Sequence, residues 1–513
     1  MRVARAWSVA LMGMDATRVE VEVALTSGLP KTILVGLPDA ALHDARERCC
    51  AAMIASGTRW PAGRVTINLS PATLPKAGSH YDLSIVAAVG AAAGACHPDA
   101  LGAVALFGEV GLDGRVRAVR GLLPAVLGAS QEGLHSVVVP AEQLREAELV
   151  QGVSARGVAS VGELFDVLRG GPGSRPPAGP VTEPAQEEPK DLRDVAGQVE
   201  ARWALEVAAA GRHHLFLHGP PGVGKTLLAE RLPGILPDLE LSESLEVSAI
   251  HSLTGLRLDG LITRPPYADP HHTASMASLV GGGTRIAVPG AISRAHLGVL
   301  FLDEAPEFQP KVMDALRVPL ESGRIVLGRS MATATYPARF QLVLAANPCP
   351  CGHYGTPGAR CTCTPADVRR YAQKVSGPIL DRIDIHQHLR PLRRSLLADA
   401  LRSAESSEVV AGRVLLARQR QRARLEPLGW RTNGEIPGPV LRRGLPLPDG
   451  VDLLEDAVSQ GRLSARGVDK VLRLSWTLAD LAGAARPDSR HLRTALALRR
   501  GEGDLDRGSH GRA

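Results

Sequence analysis

One octapeptide constrains this chain more than anything else in it. An apolar, strand-like run, Leu215-Phe216-Leu217-His218, leads directly into Gly219-Pro220-Pro221-Gly222-Val223-Gly224-Lys225-Thr226, and a helical pattern from Leu227 to Leu232 follows. G-x-x-x-x-G-K-T between a strand and a helix is a phosphate-binding loop. Its glycines let main-chain N–H groups wrap the phosphates, the lysine reaches the β- and γ-phosphates, and the threonine hydroxyl serves Mg²⁺. All eight residues, Gly219 to Thr226, are therefore candidate ATP contacts. A chain that carries this loop folds around it as an open α/β sheet, with its ligand at the carboxyl ends of the strands.

Two later strands end in residues suited to that edge. Gly298-Val299-Leu300-Phe301-Leu302 runs into Asp303-Glu304, a Walker B pattern. Asp303 is expected to hold Mg²⁺ together with Thr226, and Glu304 to orient and deprotonate the attacking water. Phe340 to Ala346 is a third apolar run and ends at Asn347, whose side chain can reach the γ-phosphate or the water.

The 513 residues divide at 171–190, which holds six prolines and three glycines and almost no large apolar residue. Such a segment behaves as an extended linker. The expected plan is an α+β domain at 1–170, the linker, an ATPase domain at 191–390, a helical lid at 391–500 with helical patterns at 395–424 and 464–482, and a disordered tail at 501–513. Hydrophobic residues are 44%, aromatic residues 3% and the net charge is +6. So few aromatics argue against a protein built mainly on base-stacking sheets, and the mild positive charge permits nucleic-acid binding without requiring it. The longest small-apolar run, Ile85 to Cys96, is about half of the ~20 residues that a spanning helix needs. The N-terminal stretch reads as a first strand rather than a short signal peptide, so no membrane partner and a cytoplasmic location are expected.

Seven cysteines are too few for a disulfide-built fold, and four of them crowd together as Cys349-x-Cys351 and Cys361-x-Cys363. Four thiolates can close a tetrahedral zinc site. Reduced thiols and a redox disulfide are the competing readings.

Several segments resemble known families. Leu74 to Asp82 and Gly108 to Val116, continuing through Leu122-Leu123, resemble the serine- and lysine-bearing segments of Lon-type proteases, whose domain has a ribosomal S5 domain 2-like fold. Where that family has its serine this chain has His80, and where it has its lysine this chain has Leu123. The resemblance therefore implies the fold without proteolysis. Gly377 to Ile385 resembles the arginine-finger segment of the MCM and magnesium-chelatase branch of AAA+ proteins, with Arg382 as the finger. Arg466, which opens the helix after Ser464, resembles the second sensor, with Arg473 as the alternative. Asn347 matches the first sensor.

Together with Gly36-Leu37-Pro38-Asp39, Pro270-His271-His272-Thr273 and Asn347-Pro348-Cys349-Pro350-Cys351, these features resemble the ComM/YifB family of magnesium-chelatase-like AAA+ ATPases over nearly the whole chain. One departure is Ala291, where a glutamate is expected. The resemblance implies a homo-oligomeric ring of six that needs ATP and Mg²⁺ and acts on single-stranded or branched DNA, as a helicase promoting branch migration in natural transformation. It also implies an insert between residues 233 and 297, and a hairpin over 325–339 where Arg324, Arg329 and Arg339 would meet the DNA backbone. The alternative function is a magnesium-chelatase motor that drives metal insertion into a tetrapyrrole. Six arginines between Arg413 and Arg431 read as a solvated helix face rather than a DNA contact.

Overall fold

The computed structural model describes the whole chain except residues 37–39, 77, 176–189, 284–286, 329–332, 357–359, 392–403 and 503–513. Most of the expected linker and tail, Arg329, and much of the first half of the 395–424 helical pattern lie outside the described residues.

Residues before the linker form a seven-stranded mixed sheet. Its spatial order is Lys31–Val35, Arg64–Ser70, Asp15–Thr26, Arg2–Met12, Val104–Leu106, Ser136–Pro140, Ser154–Val158. The first strand pairs antiparallel with Asp15–Thr26 along its whole length. Its alternation is what one buried sheet face requires: Ala4, Ala6, Val19, Val21 and Val23 face the core while Arg5, Glu20 and Glu22 face solvent and pair with each other. Helix Asp82–Ala93 is apolar on all sides and nearly all buried, covering the sheet. Asp82, at its start, is fully buried and tied to Arg48 at 2.9 Å.

The second sheet has five parallel strands in the order Tyr267–Ala268, Val299–Leu302, Gln341–Ala346, Leu215–His218, Ile385–His388. All four residues of Val299–Leu302 and all six of Gln341–Ala346 are buried, as expected for central parallel strands covered on both faces. The strand that ends at Asn347 thus lies between the phosphate-loop strand and the Walker B strand. The expected insert contains helix Leu241–Leu253, the outer strand Tyr267–Ala268 and a two-stranded ribbon pairing Gly281–Gly282 with Val288–Pro289. The expected hairpin is present as Arg324–Gly328 against Thr333–Pro337.

The C-terminal region is helical. Its two long helices are Ser407–Leu425 and Ala465–Ala482, the latter capped by Ser464, whose Oγ accepts from Gly467 N. Their buried residues join the core of the five-stranded sheet through Val414, Leu474 and Trp476. The arginines from 413 to 431 are only partly a solvated face: Arg420, Arg422 and Arg431 are exposed, while Arg413, Arg418 and Arg424 are half-buried. Arg413 binds Glu206 at 2.6 Å, Arg418 binds the Ala209 carbonyl, Arg422 pairs with Glu240, Arg424 grips both oxygens of Asp480, and Arg431 reaches Glu243 at 2.8 Å. Most of these acidic partners lie far away in sequence, although Arg413 also pairs with nearby Glu405, so the helix reads as largely uncompensated until it is packed.

Asp480 is 1% exposed, and Arg424 is its cationic partner, with Asn433 Nδ2 donating at 2.8 Å. Arg424→Ala leaves that carboxylate buried with only the amide. The expected result is a loss of about 3 kcal/mol of stability, measured by urea unfolding.

Candidate active site

Three strand ends converge at the carboxyl edge of the five-stranded sheet. Strands lie about 4.8 Å apart, so the residue after the neighbouring strand falls beside the phosphate loop, and the one after the next strand lies about 10 Å away. The contacts follow that spacing. Lys225 Nζ donates to Asn347 Oδ1 at 2.9 Å and to the Gly219 and Pro220 carbonyls at 2.7 and 2.9 Å. The more distant Asp303 is reached by Thr226, whose Oγ1 donates to Asp303 Oδ2 at 2.7 Å. Gly222 and Gly224 have φ of +75° and +96°, which a side chain would strain, so the tight loop depends on them. Lys225 is 8% exposed. Burial lowers its pKa, and the charges of Asp303 and Glu304 pull it back toward the charged form.

Glu304 has the left-handed φ of +50°. That conformation is costly without glycine and concentrates at functional sites. Its N–H donates to Asp303 Oδ1 at 2.8 Å, and its carboxylate stands 3.6 Å from His272 Nδ1. The contact with His272 was not legible from sequence. His272 is supplied by the loop after the outer strand, a position set by the insert.

Arg382 and Arg466 occupy the opposite edge of the sheet. The last strand, Ile385–His388, runs parallel to Leu215–His218 with Ile385 opposite Leu215. Arg382 precedes its first residue, so the length of the strand, about 13 Å for four residues, separates it from the phosphate loop. Its guanidinium holds the Pro378 carbonyl at 2.7 Å and Glu321, and its Nε is buried with no partner among the described residues. Arg466 is 69% exposed in its side chain and lies 3.8 Å from Asp381. A cavity of about 380 Å³ opens here, lined among others by Asp381, Arg462, Ser464, Arg499 and Arg500. Arg473, the alternative second sensor, is half-buried.

A buried carboxylate anchors this edge. Asp384 accepts from Lys470 Nζ at 2.6 Å and from His214 N at 2.8 Å, and Lys470 also donates to the Arg382 carbonyl at 2.8 Å. Burial alone would raise the pKa of Asp384, but Lys470, His213 and His214 hold it well below the usual carboxylate range. Burial lowers His213 to about 3 and His214 to about 4.

The four clustered cysteines come together in space, their sulfurs all within 4.8 Å of one another. Cys349 to Cys351, Cys349 to Cys361 and Cys351 to Cys361 are 3.3, 3.8 and 3.6 Å. Zn–S bonds of about 2.3 Å at tetrahedral angles put sulfurs about 3.8 Å apart, so the donor set fits zinc. Main-chain N–H groups of His353 and Thr362 pull the Cys351 thiol down to about 5. The knuckle leans on the phosphate loop: a Cβ on Gly352 would meet Pro221 Cγ at 2.5 Å.

Arg324 and Arg339 lie at the root of the hairpin, and Arg329 lies outside the described residues. Arg324 is exposed with no ion pair among the described residues. Arg339 follows the second strand and pairs with Glu246 at 3.3 Å.

Comparison with known proteins agrees with this architecture. Residues 191–397 match the family described as magnesium chelatase, subunit ChlI, residues 21–143 match the subunit ChlI of Mg-chelatase family, and residues 404–499 match its C-terminal family. A Mycobacterium tuberculosis protein is 52% identical over 97% of this chain and 99% of its own length. The Escherichia coli protein YifB is 39% identical over 96% of each chain. The competence protein ComM of Haemophilus influenzae is 38% identical over 97% of this chain and 98% of its own. No helix among the described residues is long and apolar enough to cross a membrane.

His213 and His214 bind protons less readily folded than unfolded, where the ordinary value is 6.5. Stability should therefore fall as pH drops from about 6.5 to about 4, where the unfolded chain holds more protons. Asp384 adds to the loss at still lower pH. Urea midpoints measured across this range should decline, and less steeply in His214→Asn.

Proposed function

The chain belongs to the ComM/YifB family of magnesium-chelatase-like AAA+ proteins, and from that premise we propose that it is an ATP-hydrolysing ring motor acting on DNA. The observation that carries the reading is the convergence of Lys225, Thr226, Asp303, Glu304 and Asn347 at one sheet edge, reached from three strands. In the proposed reaction the loop from Gly219 to Thr226 binds the phosphates through its N–H groups and Lys225. Thr226 and Asp303 form the oxygen pair suited to Mg²⁺, which would neutralise phosphate charge. Glu304 accepts the proton of the attacking water, and Asn347 orients that water or the γ-phosphate.

Arg382 cannot serve the nucleotide of its own chain, because the length of the last strand lies between them. It would serve a neighbour's, with Arg466 beside it on the same edge. That requirement supports a closed homo-oligomer, for which the family resemblance suggests six subunits. The loop before the last strand is braced by Lys470 and Asp384, which suits a finger that must hold its position across an interface. The cysteine knuckle would hold zinc as a structural clip between Asn347 and Pro221.

The DNA contact is assigned to the hairpin over 324–337, with Arg324, Arg329 and Arg339 as its basic residues, of which Arg339 is already committed to Glu246. These would bind phosphates without reading sequence. The family resemblance suggests a helicase role in branch migration, and the likeness to a competence protein supports a role in uptake of DNA. The likeness to ComM over 97% of this chain, against 30% for a magnesium-chelatase 38 kDa subunit, favours this reading over a tetrapyrrole chelatase motor. Linker, lid and domain limits are taken as at 171–190 and near 390, in the cytoplasm.

Turnover of ATP should rise on adding single-stranded DNA, and branched DNA should be unwound. Glu304→Gln should bind ATP and lose turnover by about a hundredfold or more. Failure to bind DNA under ATP at low salt would sink the DNA reading. Mixing inactive Arg382→Ala with inactive Lys225→Ala subunits should restore part of the activity, and no recovery would argue against a finger acting between subunits. Metal analysis of protein purified without chelator should find one zinc per chain, and Cys361→Ser should lose it.

A further inference from the structure

The N-terminal sheet is attached to the hairpin at two separate places. The first is the turn between its two longest strands. Gly13 has φ of +71° and bridges to Thr335 in the hairpin's returning strand, and Met14 N donates to the Thr335 carbonyl at 3.3 Å. The turn thereby makes one parallel bridge to the hairpin's returning strand. A Cβ on Gly13 would lie 2.5 Å from Thr335 O and 2.8 Å from Thr335 N, so only glycine permits the approach. Met14 packs both against the N-terminal core and against the apolar layer that holds Leu327, Ala334, Leu342 and Leu344.

The second attachment runs through helix Leu241–Leu253. Ser252 Oγ donates to Glu146 Oε1 at 2.6 Å, and Leu123 N donates to the same oxygen at 3.1 Å. Gln143 Nε2 donates to the other Glu146 oxygen at 3.0 Å, and Gly121 N to the Ser252 carbonyl at 3.1 Å. Glu146 is 2% exposed, and every one of these groups is spent inside the interface. Ala249 and Leu258 are buried in one cluster with Leu122, Leu123 and Val126. The same helix carries Glu246, which binds Arg339 at the root of the returning strand. Leu123 stands where the protease resemblance places its lysine, and that position is covered by helix Leu241–Leu253.

Two attachments remove both sliding and pivoting between the parts they join. The returning strand continues after Pro337 into Gln341–Ala346 and Asn347. We infer that the N-terminal domain is a brace that moves with the hairpin as one unit, and that Gly13, Glu146 and Ser252 are positioning residues that couple nucleotide state at Asn347 to the hairpin's grip on its polymer. The polymer's identity as DNA rests on the proposed function; the mechanical link does not.

Gly13→Val in the full chain tests it. Basal ATP turnover and the KM for ATP should stay within about twofold of wild type, while stimulation by single-stranded DNA falls about fivefold or more. Ser252→Ala should do the same if Gly13→Val fails to fold, and Ser252→Thr, which keeps the hydroxyl, should restore coupling. Stimulation unchanged in a folded variant overturns the inference. Amide hydrogen exchange separates this outcome from failure of the DNA reading. A non-hydrolysable ATP analogue should change protection of residues 2–26 and 333–337 together in wild type, and of 333–337 alone in Gly13→Val. A response of 333–337 without 2–26 in wild type overturns the brace, whether or not DNA stimulates the enzyme.

Discussion

A buried ammonium organises this molecule. Lys225 is almost out of solvent, and its charge is tolerable there only because two loop carbonyls and Asn347 accept from it. Those acceptors must come from different strands, so the site exists only when the phosphate-loop strand and the sensor strand are neighbours. The sheet order meets that condition, and Thr226 extends the connection one strand further to Asp303. The cysteine knuckle follows Asn347 at once and leans on Pro221, so the same junction is held from outside the sheet.

The opposite edge obeys a different electrostatic rule. There a buried carboxylate, Asp384, is paid for by Lys470 and the N–H of His214, and the loop bearing Arg382 is fixed as a consequence. Arg382 therefore lies at the opposite edge of the sheet from Lys225, Thr226 and Asp303, separated from them by the length of the last strand. Helix Leu241–Leu253 links further parts: its Glu243 and Glu246 meet Arg431 of the C-terminal region and Arg339 at the hairpin root, and its last turn meets Glu146. Several of the chain's arginines are neutralised in such pairs.

The phosphate loop and the Walker B pair were legible because they are contiguous and their chemistry demands fixed spacing. Asn347 was legible because an apolar strand ended on it. The four cysteines were legible as a set, and the fold supplied what spacing could not, the approach of the two pairs across the loop between them. The arginines of 413–431 misled, because a helix read alone shows its cations and hides partners such as Glu206 and Asp480, which lie about 60 to 200 positions away. His272 beside Glu304 left no signal for the same reason: proximity across strands is not encoded in local pattern.

By itself the sequence determined the local chemistry: which loop can cradle phosphates, which strands end in acids or amides, and which faces are apolar enough to be buried. These follow from residue type and short-range periodicity. Only the tertiary structure decided which strand neighbours which, that Arg382 and Arg466 lie away from their own phosphate loop, and that Leu123 of the N-terminal domain is closed over by helix Leu241–Leu253. Those facts depend on sheet order, parallel register and contacts between segments distant in the chain, and such relations exist only once the whole chain is packed.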